Sequence, residues 1–476
     1  MNELSKLLNL TNNEIIKGQI RCACERIDSI KDELIELARY IYENPELGQQ
    51  EFKAVAKISQ FMTKQGFTVQ EDVSEGKIPE LRTSLRADYG KYNSDIIYDD
   101  TFIEKMDSPI VKADSHIAED DSYIAGDASY IAEDTSYMGA RDFHIETSDS
   151  SIAKNRIGQS LAQSRHKPFK MAFLGEYDAL PELGHGCGHN LISPMSMGAA
   201  IGFAAAVPDS VTTFFGCPAE ETIGGKVYMA EAGIFKGYDG ALLTHPSDAN
   251  ELGGSSLASH PLEITFLGRA AHIADPQGEG INALACLVDY YGRVASAMKT
   301  WGEEALIGTI ITEGGVAPNI VPERATLRMT VRAKKVSFLE NIVLPELKKR
   351  AETCAKDHGA KVLYHHYEPL FKDLVEDLSL QTVARDVMSA MGEEPAILPD
   401  DVAEGSTDMG NVSQEIPTIQ ISLQIGQHLG LHTPEFVAAA GSQKAFEQII
   451  KGAKIMAVTA ILYGERLLFD SPIKSM

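Results

Sequence analysis

The sequence has little that would place it in or across a membrane. None of its apolar runs reaches the roughly 18 residues that identify a membrane-spanning helix. The first residues, Met1 to Lys6, carry no basic segment followed by an apolar one, so the sequence predicts no secretory signal. The six cysteines are scattered along the chain instead of forming a disulfide framework, which favours the reducing cytoplasm.

Positive charge is also scarce. The chain has 43 Lys and Arg against 68 Asp and Glu, a formal net charge of −25, whereas a nucleic-acid partner would need a basic face. We therefore expect neither nucleic acid nor membrane as a partner. The hydrophobic fraction of 44% and the mean hydropathy of −0.13 are typical of a soluble globular protein. A length of 476 residues predicts two or three domains.

Much of the negative charge lies in one stretch, at about residues 91–168. Residues 95–149 contain 15 acidic and 3 basic residues, and a seven-residue pattern recurs between residues 114 and 139. The apolar residues of this pattern are adjacent to each other, not spaced as in a coiled coil, and Ser and Gly interrupt them. We therefore predict a solvated, weakly ordered insertion and interpret His116 and His144 as bystanders.

Three apolar runs predict buried strands, each followed by polar side chains. The strands are Met171–Leu174, Val211–Gly216 and Gly240–Thr244. In chain order they are followed by Glu176, Asp178 and the loop His185-Gly-Cys187-Gly-His189, then by Glu220 and Glu221, and then by His245. Ligands of open α/β sheets bind just beyond the carboxyl ends of the strands, so we expect these side chains to meet.

The pattern of strands and helices divides the chain into two predicted domains. From about residue 257 the order β-α-β-β-α-β predicts a ferredoxin-like α+β domain, and after about residue 368 the α/β pattern returns. We therefore predict an α/β catalytic domain with a mixed central sheet, formed by residues 1–256 and 369–476. The second domain, residues 257–368, is inserted into it.

The polar side chains at the strand ends are those of a metal site. Thiolate, imidazole and carboxylate groups together suit zinc, with manganese or cobalt as alternatives. The predicted ligands are Cys187, His189, Glu221, His245 and a late histidine, His432, for which His428 is the competing choice. Of two adjacent carboxylates at a strand end, one can bind the metal while its neighbour, Glu220, acts as general base on the activated water.

Several motifs resemble one known family. They include Glu-Tyr-Asp-Ala-Leu-Pro, His-Gly-Cys-Gly-His-Asn-Leu, Pro-Ala-Glu-Glu, Gly-Arg-Ala-Ala-His, Ala-Pro-Asn-Ile-Val-Pro, Ser-Thr-Asp-Met-Gly-Asn-Val and Leu-His-Thr-Pro-Glu-Phe. Together they resemble the zinc aminoacylase/carboxypeptidase family of amidohydrolases. Within it, the chain is similar to the branch of aminobenzoyl-glutamate hydrolases and β-alanyl-lysine-type dipeptidases. The resemblance covers nearly the whole chain except the acidic insertion.

The resemblance implies a phosphorylase/hydrolase-like catalytic domain and a site with two metal ions per subunit, held by the five predicted ligands, with Glu220 as the base. Asp178 would orient one ligand. It also implies a homodimer that forms through the inserted domain, which serves as dimerisation or lid domain. His272 would then reach the active site of the other subunit and stabilise the oxyanion, and Asn319 would help to hold the substrate carboxylate.

The sequence therefore predicts a cytoplasmic metal-dependent amidohydrolase that cleaves the amide bond of an N-acyl amino acid or an unusual dipeptide. One alternative is a peptidase that acts on ordinary peptides, and another is a catalytically silent relative that binds or scaffolds through its acidic insertion. A purely structural zinc site is a weaker alternative, because such sites use tightly spaced ligands. The ligands predicted here extend from Cys187 to His432.

Overall fold

The computed structural model describes residues 2–90, 168–274 and 279–470. The acidic insertion predicted for residues 91–168, with its recurring pattern and its two histidines, lies outside the described residues apart from Pro168. Within the described residues, no helix combines the length and the apolar character needed to cross a membrane.

A mixed sheet of eight strands forms the larger part of the described structure. In chain order its strands are β1 (Thr68–Glu71), β2 (Leu85–Tyr89), β3 (Lys170–Glu176), β4 (Val211–Cys217), β5 (Gly240–Ser247), β6 (Glu251–Ser255), β12 (Ala396–Ala403) and β13 (Thr418–Gln424). Their spatial order is β1-β2-β4-β3-β5-β13-β6-β12. The central strands β4, β3, β5 and β13 are parallel to one another, whereas β1, β2 and β6 run antiparallel to a neighbour.

Helices surround this sheet. They are α1 (Glu3–Leu8), α2 (Glu14–Ser29), α3 (Lys31–Glu43), α4 (Phe52–Lys64), α5 (His189–Ala206), α6 (Gly225–Glu231), α10 (Leu378–Ala390), α11 (Met409–Ser413), α12 (Pro434–Ala440) and α13 (Gln443–Asp470). Helix α5 is apolar on every side and is buried except at Ala205, as expected for a helix enclosed by other elements. A Cβ atom at Gly198 would lie 2.9 Å from Ala453 of α13 and from Leu34 of α3, so glycine allows this close packing.

A second sheet lies between residues 258 and 365. Its strands are β7 (Ala258–Ser259), β8 (Leu262–Leu267), β9 (Ala305–Glu313), β10 (Arg324–Ala333) and β11 (Lys361–His365). Helix α7 (Ala283–Trp301) follows β8, and α8 (Val336–Phe338) leads through a π-helical turn into α9 (Leu344–His358). The antiparallel order β11-β8-β10-β9 is that of a ferredoxin-like βαββαβ unit, with β7 paired to the end of β10.

The predicted fold class is confirmed by this architecture, a mixed α/β sheet with an inserted ferredoxin-like domain. The domain bounds at residues 256/257 and 368/369 remain predictions. Three strands were not predicted from the sequence, the two-residue β7 of the second sheet and β6 and β12 of the larger sheet. Strands β6 and β12 lack the apolar periodicity that identifies a strand, since β6 reads Glu-Leu-Gly-Gly-Ser and β12 contains Pro399. They pair in parallel with each other, and β12 is the last strand on that side of the sheet.

Candidate metal and catalytic site

The carboxyl ends of three neighbouring parallel strands form the candidate site. Strand β3 lies between β4 and β5, and all three run in the same direction. Glu176 is the last residue of β3, Glu220 and Glu221 follow β4 after a short turn, and His245 lies near the end of β5. The polar residues that the sequence placed at separate strand ends therefore meet at one edge of the sheet.

His189 lies at the centre of this edge as the first residue of α5, and its side chain is fully buried. The preceding Gly188 has a φ of 77°, and a Cβ there would lie 2.4 Å from Pro246, so glycine is needed both for the turn and for the contact. The Nδ1 atom of His189 lies 2.8 Å from Asp178 Oδ1. This carboxylate orients the ring and directs Nε2 into the site.

Three overlapping groups of side chains have the composition of a metal centre. They are Cys187, His189 and His245; Cys187, Glu221 and His432; and His189, Glu220 and Glu221, with the ligand atoms of each group within 4.8 Å of one another. All five predicted ligands belong to these groups. Of the late histidines, His432 is a member, whereas His428 belongs to none of the groups found among the described residues.

The spacing of these atoms fits a divalent cation. Tetrahedral zinc, with bonds of about 2.0–2.1 Å to nitrogen or oxygen and about 2.3 Å to sulfur, separates two ligand atoms by about 3.3 Å, or by about 3.6 Å where one is sulfur. Cys187 Sγ lies 3.6 Å from His245 Nε2, and His432 Nε2 lies 3.3 Å from Glu221 Oε2. The buried atoms His189 Nε2 and Glu221 Oε1 form no hydrogen bond, and both have lone pairs that could coordinate a bound cation.

The backbone on both sides of Glu220 is held by buried carboxylates. Ala219 has a φ of 57°, and its N–H donates to Glu51 Oε1 at 2.7 Å. The N–H of Glu221 donates to Asp178 Oδ2 at 3.0 Å. The turn thereby directs both glutamates towards His189, whose Nε2 lies 3.9 Å from Glu220 Oε2 and 3.8 Å from Glu221 Oε1.

The two buried imidazoles of the site, His189 and His245, differ in their protonation states. Burial lowers the pKa of His245 to about 4, which keeps this ring in the neutral form that binds metals. Burial also disfavours a charged His189, but the charge and the hydrogen bond of Asp178 outweigh it and raise the pKa of His189 well above its usual range. A cation that binds at Nε2 therefore has to displace a proton from this ring.

The acidic and thiol groups of the site are also shifted. Burial, followed by the negative charges of Glu176 and Asp408, raises the pKa of Glu220 well above that of an ordinary carboxyl. Burial likewise raises the pKa of the Cys187 thiol. Cys187 therefore becomes a thiolate ligand only when a cation stabilises its negative charge.

Sequence reasoning missed a buried lysine next to the site. Lys226 is fully buried, and its Nζ lies 2.6 Å from Glu176 Oε1 and 2.5 Å from Asp408 Oδ1. Burial would raise the pKa of Glu176, but the charges of Lys226 and His189 outweigh this effect and lower it to about 2. Asp408 lies in the motif Ser-Thr-Asp-Met-Gly-Asn-Val, which was recognised without a role. No local pattern links it to a lysine 182 positions away.

His272 and Asn319 lie on the inserted domain and are exposed. They are close to each other, because the segment of His272 bridges to Ile320 and the N–H of Ile273 donates to the carbonyl of Asn319 at 3.0 Å. Within the described chain, neither side chain forms a hydrogen bond with a predicted metal ligand. The roles that the resemblance assigns to them remain predictions.

Comparison with known proteins gives the same family as the motifs. Residues 259–362 match the peptidase dimerisation domain of the M20 family. The chain is 34% identical to the mouse (Mus musculus) Xaa-Arg dipeptidase over 309 residues, which cover 62% of this chain and 70% of that protein. It is 27% identical over 368 residues to one of the subunits of the p-aminobenzoyl-glutamate hydrolase of Escherichia coli K12, covering 61% of this chain and 76% of the other.

Solved structures also share the fold, among them the following two. A dinuclear metal-binding peptidase of the M20 family from Bacillus subtilis aligns with a TM-score of 0.56 at 16% identity, covering 92% of this chain and 99% of that one. An aminobenzoyl-glutamate utilization protein from Klebsiella pneumoniae aligns with a TM-score of 0.56 at 13% identity, covering 92% and 97%.

These matches define a class of metal-dependent hydrolases that act on C–N bonds. The chain belongs to the M20 family of peptidases and amidohydrolases, which confirms the resemblance found in its motifs. The candidate ligand groups support a metal cofactor.

Proposed function

We propose that the protein cleaves the amide bond of an N-acyl amino acid or an unusual dipeptide, with Glu220 as general base. The observation that carries the proposal is the different placement of the two adjacent glutamates that follow β4. Glu221 belongs to a ligand group with Cys187 and His432, whereas Glu220 approaches only the His189 side of the cluster. One carboxylate is thus available to bind a cation and its neighbour to move a proton.

The proposed cofactor is a pair of divalent cations per subunit, with zinc favoured over manganese or cobalt. The support is that two ligand groups, one with His189 and His245 and the other with Glu221 and His432, share Cys187. A thiolate and three imidazoles form a donor set that suits zinc. Bound there, a cation would supply Lewis acidity, which polarises the scissile carbonyl and lowers the pKa of a water molecule.

The residues of the chain would carry out the remaining steps. Bound cations would favour the ionised form of Glu220, which would accept a proton from the attacking water and return it to the leaving amine. Asp178 would orient His189 through the 2.8 Å contact with Nδ1. In a homodimer, His272 of the partner subunit would donate to the oxyanion of the tetrahedral intermediate, and Asn319 would help to hold the substrate carboxylate.

Dimerisation is proposed to occur through the inserted domain. This domain matches a peptidase dimerisation domain and exposes large apolar side chains, among them Val316 (90% exposed), Ile273 (70%) and Ile310 (63%). Apolar groups exposed to this extent are typical of a surface that another chain covers. We further propose a cytoplasmic location, which the six free cysteines support.

The relatives that match include dipeptidases and an aminobenzoyl-glutamate hydrolase, which favours small amide substrates over ordinary peptides. The intact ligand cluster speaks against a catalytically silent binding protein, because such a protein has no need of a complete metal site. Elemental analysis should therefore find one to two metal ions per chain. Chelator-sensitive hydrolysis is expected for at least one of N-acyl amino acids, aminobenzoyl-glutamate, and lysyl, ornithyl or Xaa-Arg dipeptides.

The role of Glu220 is tested by Glu220→Ala, with the exposed Glu415→Ala as matched control. Loss of a general base should lower kcat by about 10²–10⁴-fold while the metal content stays unchanged. The control should keep both kcat and metal. A Glu220→Ala variant with near-normal kcat would refute the assignment, and wild-type protein without metal or turnover would favour the silent relative.

A further inference from the structure

We infer that Glu176 is an additional ligand of the metal centre, an inference that rests on the proposed metal-dependent function. Glu176 ends β3 and is 2% exposed, yet its Oε2 atom has no hydrogen-bond partner. This carboxylate oxygen has lost its hydration, and its one described contact is the ion pair with His189 Nε2 at 3.3 Å. A cation in the site would supply the missing interaction.

The Oε2 atom of Glu176 lies next to another buried atom that forms no hydrogen bond, His189 Nε2. Oε2 lies 3.3 Å from His189 Nε2, and Glu221 Oε1 lies 3.8 Å from the same nitrogen. None of these three buried atoms forms a hydrogen bond, so the contact between Glu176 and His189 is an ion pair without a hydrogen bond. Its length equals the 3.3 Å between His432 Nε2 and Glu221 Oε2 and fits two ligands of one tetrahedral ion, about 3.3 Å apart.

Lys226 fixes the orientation that leaves this oxygen free. Its Nζ holds Glu176 Oε1 at 2.6 Å, so that Oε2 is the oxygen presented to the site. Lys226 is itself held by Asp408, which contacts Nζ through Oδ1 and accepts the backbone N–H of Lys226 at 2.9 Å through Oδ2. Glu176 is therefore positioned for binding through one oxygen.

The charge balance of this region also calls for cations. Five carboxylates lie at or next to the site, and their described ion pairs are formed by one lysine, Lys226, and by two histidines, His189 and His432. These carboxylates belong to Glu176, Asp178, Glu220, Glu221 and Asp408. Buried negative charge of this size is stable only when it is paired or bound to metal. Glu176 as a ligand would bring one more of these charges into direct contact with a cation.

The test compares Glu176→Gln with Asp408→Asn. Each variant removes one negative charge and one ionic partner of Lys226, but only the first removes an oxygen directed at His189. The probes are Zn²⁺, whose Kd is measured by competition with a chromophoric chelator, and Co²⁺, whose visible absorption reports the number and geometry of its ligands. Neither readout requires turnover.

Glu176→Gln is expected to weaken Zn²⁺ binding by more than about 100-fold, beyond the 10–100-fold typical of residues that act on a metal only through its ligands. It should also change the Co²⁺ spectrum. Asp408→Asn should keep the wild-type Co²⁺ spectrum, and its Zn²⁺ affinity should fall by about tenfold or less. If Glu176→Gln does not fold, Glu176→Asp keeps the charge but shortens the side chain, and it should alter the spectrum in the same direction.

A wild-type Co²⁺ spectrum in the Glu176 variants, with a Zn²⁺ affinity equal to that of Asp408→Asn, would overturn the inference and leave Glu176 as a partner of Lys226. The proposed function would stand in that case, because the wild type would still bind metal and hydrolyse amides. Wild-type protein that binds neither ion would overturn both.

Discussion

Replacing Lys226 by methionine should strongly destabilise the protein. Lys226 is fully buried and lies within 2.6 Å of both Glu176 and Asp408. Methionine keeps the approximate length of the side chain but leaves two buried carboxylates without their cation. Breaking a buried ion pair in this way costs about 3–5 kcal/mol. Because a folded domain is stable by only about 5–15 kcal/mol, the loss is a large fraction of the total.

Urea unfolding followed by far-UV circular dichroism measures this loss, in the presence of EDTA so that metal release does not contribute. The matched control is Lys17→Met, which breaks an exposed ion pair with Glu14 and should change the free energy of unfolding by less than about 1 kcal/mol. Lys226→Met/Asp408→Asn should be less destabilised than the sum of the two single variants, since the residues are in direct contact. A loss of under about 1 kcal/mol for Lys226→Met would refute the reasoning.

Three further outcomes are expected. Burial and the charge of Asp178 raise the pKa of Glu51 to about 7. In the native state this carboxyl therefore keeps a proton that the unfolded chain loses above about pH 4.3. The free energy of unfolding should fall as the pH rises from about 4.3 to about 7. The free energy of unfolding of the wild type, relative to that of Glu51→Gln, should therefore be lower at about pH 8 than at about pH 5 in urea titrations. A difference that does not change with pH would contradict this. EDTA should lower the Tm by several degrees, and added Zn²⁺ should restore it. A ligand present at about 1,000 times its Kd adds about 4.1 kcal/mol to the free energy of unfolding. An unchanged Tm would argue against metal binding. If His272 acts across the dimer, His272→Ala and Glu220→Ala should each be inactive alone but regain activity when subunits are mixed and exchanged; no recovery would place both residues in one subunit's site.

The sequence predicted best those parts of the fold that local patterns encode. Strands β3, β4 and β5 were found because buried parallel strands have continuous apolar sequences. The polar residues that follow these strands therefore predicted where the metal ligands would meet. Strands β6 and β12 were missed because they are stabilised by pairing with distant strands, and β12 is largely exposed with Pro399 and two aspartates in its middle.

The parts of the site that escaped prediction depend on contacts over long sequence separations. Lys226 lies in the first turn of helix α6, and only the structure places its amine between Glu176 and Asp408. Glu51 precedes the fourth helix and had no recognisable role, yet its carboxylate accepts the N–H of Ala219. A single sequence carries no signal for such pairs, because neither residue type nor spacing marks them.

These distant contacts explain how the site keeps a base and a metal ligand on adjacent residues. Adjacent side chains of a strand would point to opposite faces, but the positive φ of Ala219 ends the extended conformation, so that Glu220 and Glu221 both face His189. Such a turn is strained and persists only where its surroundings hold it. Glu51 and Asp178 hold the amides on the two sides of Glu220, and Asp178 also holds the ring of His189. The position of the base and the orientation of a metal ligand therefore depend on the same carboxylate, so that a change at Asp178 must disturb both.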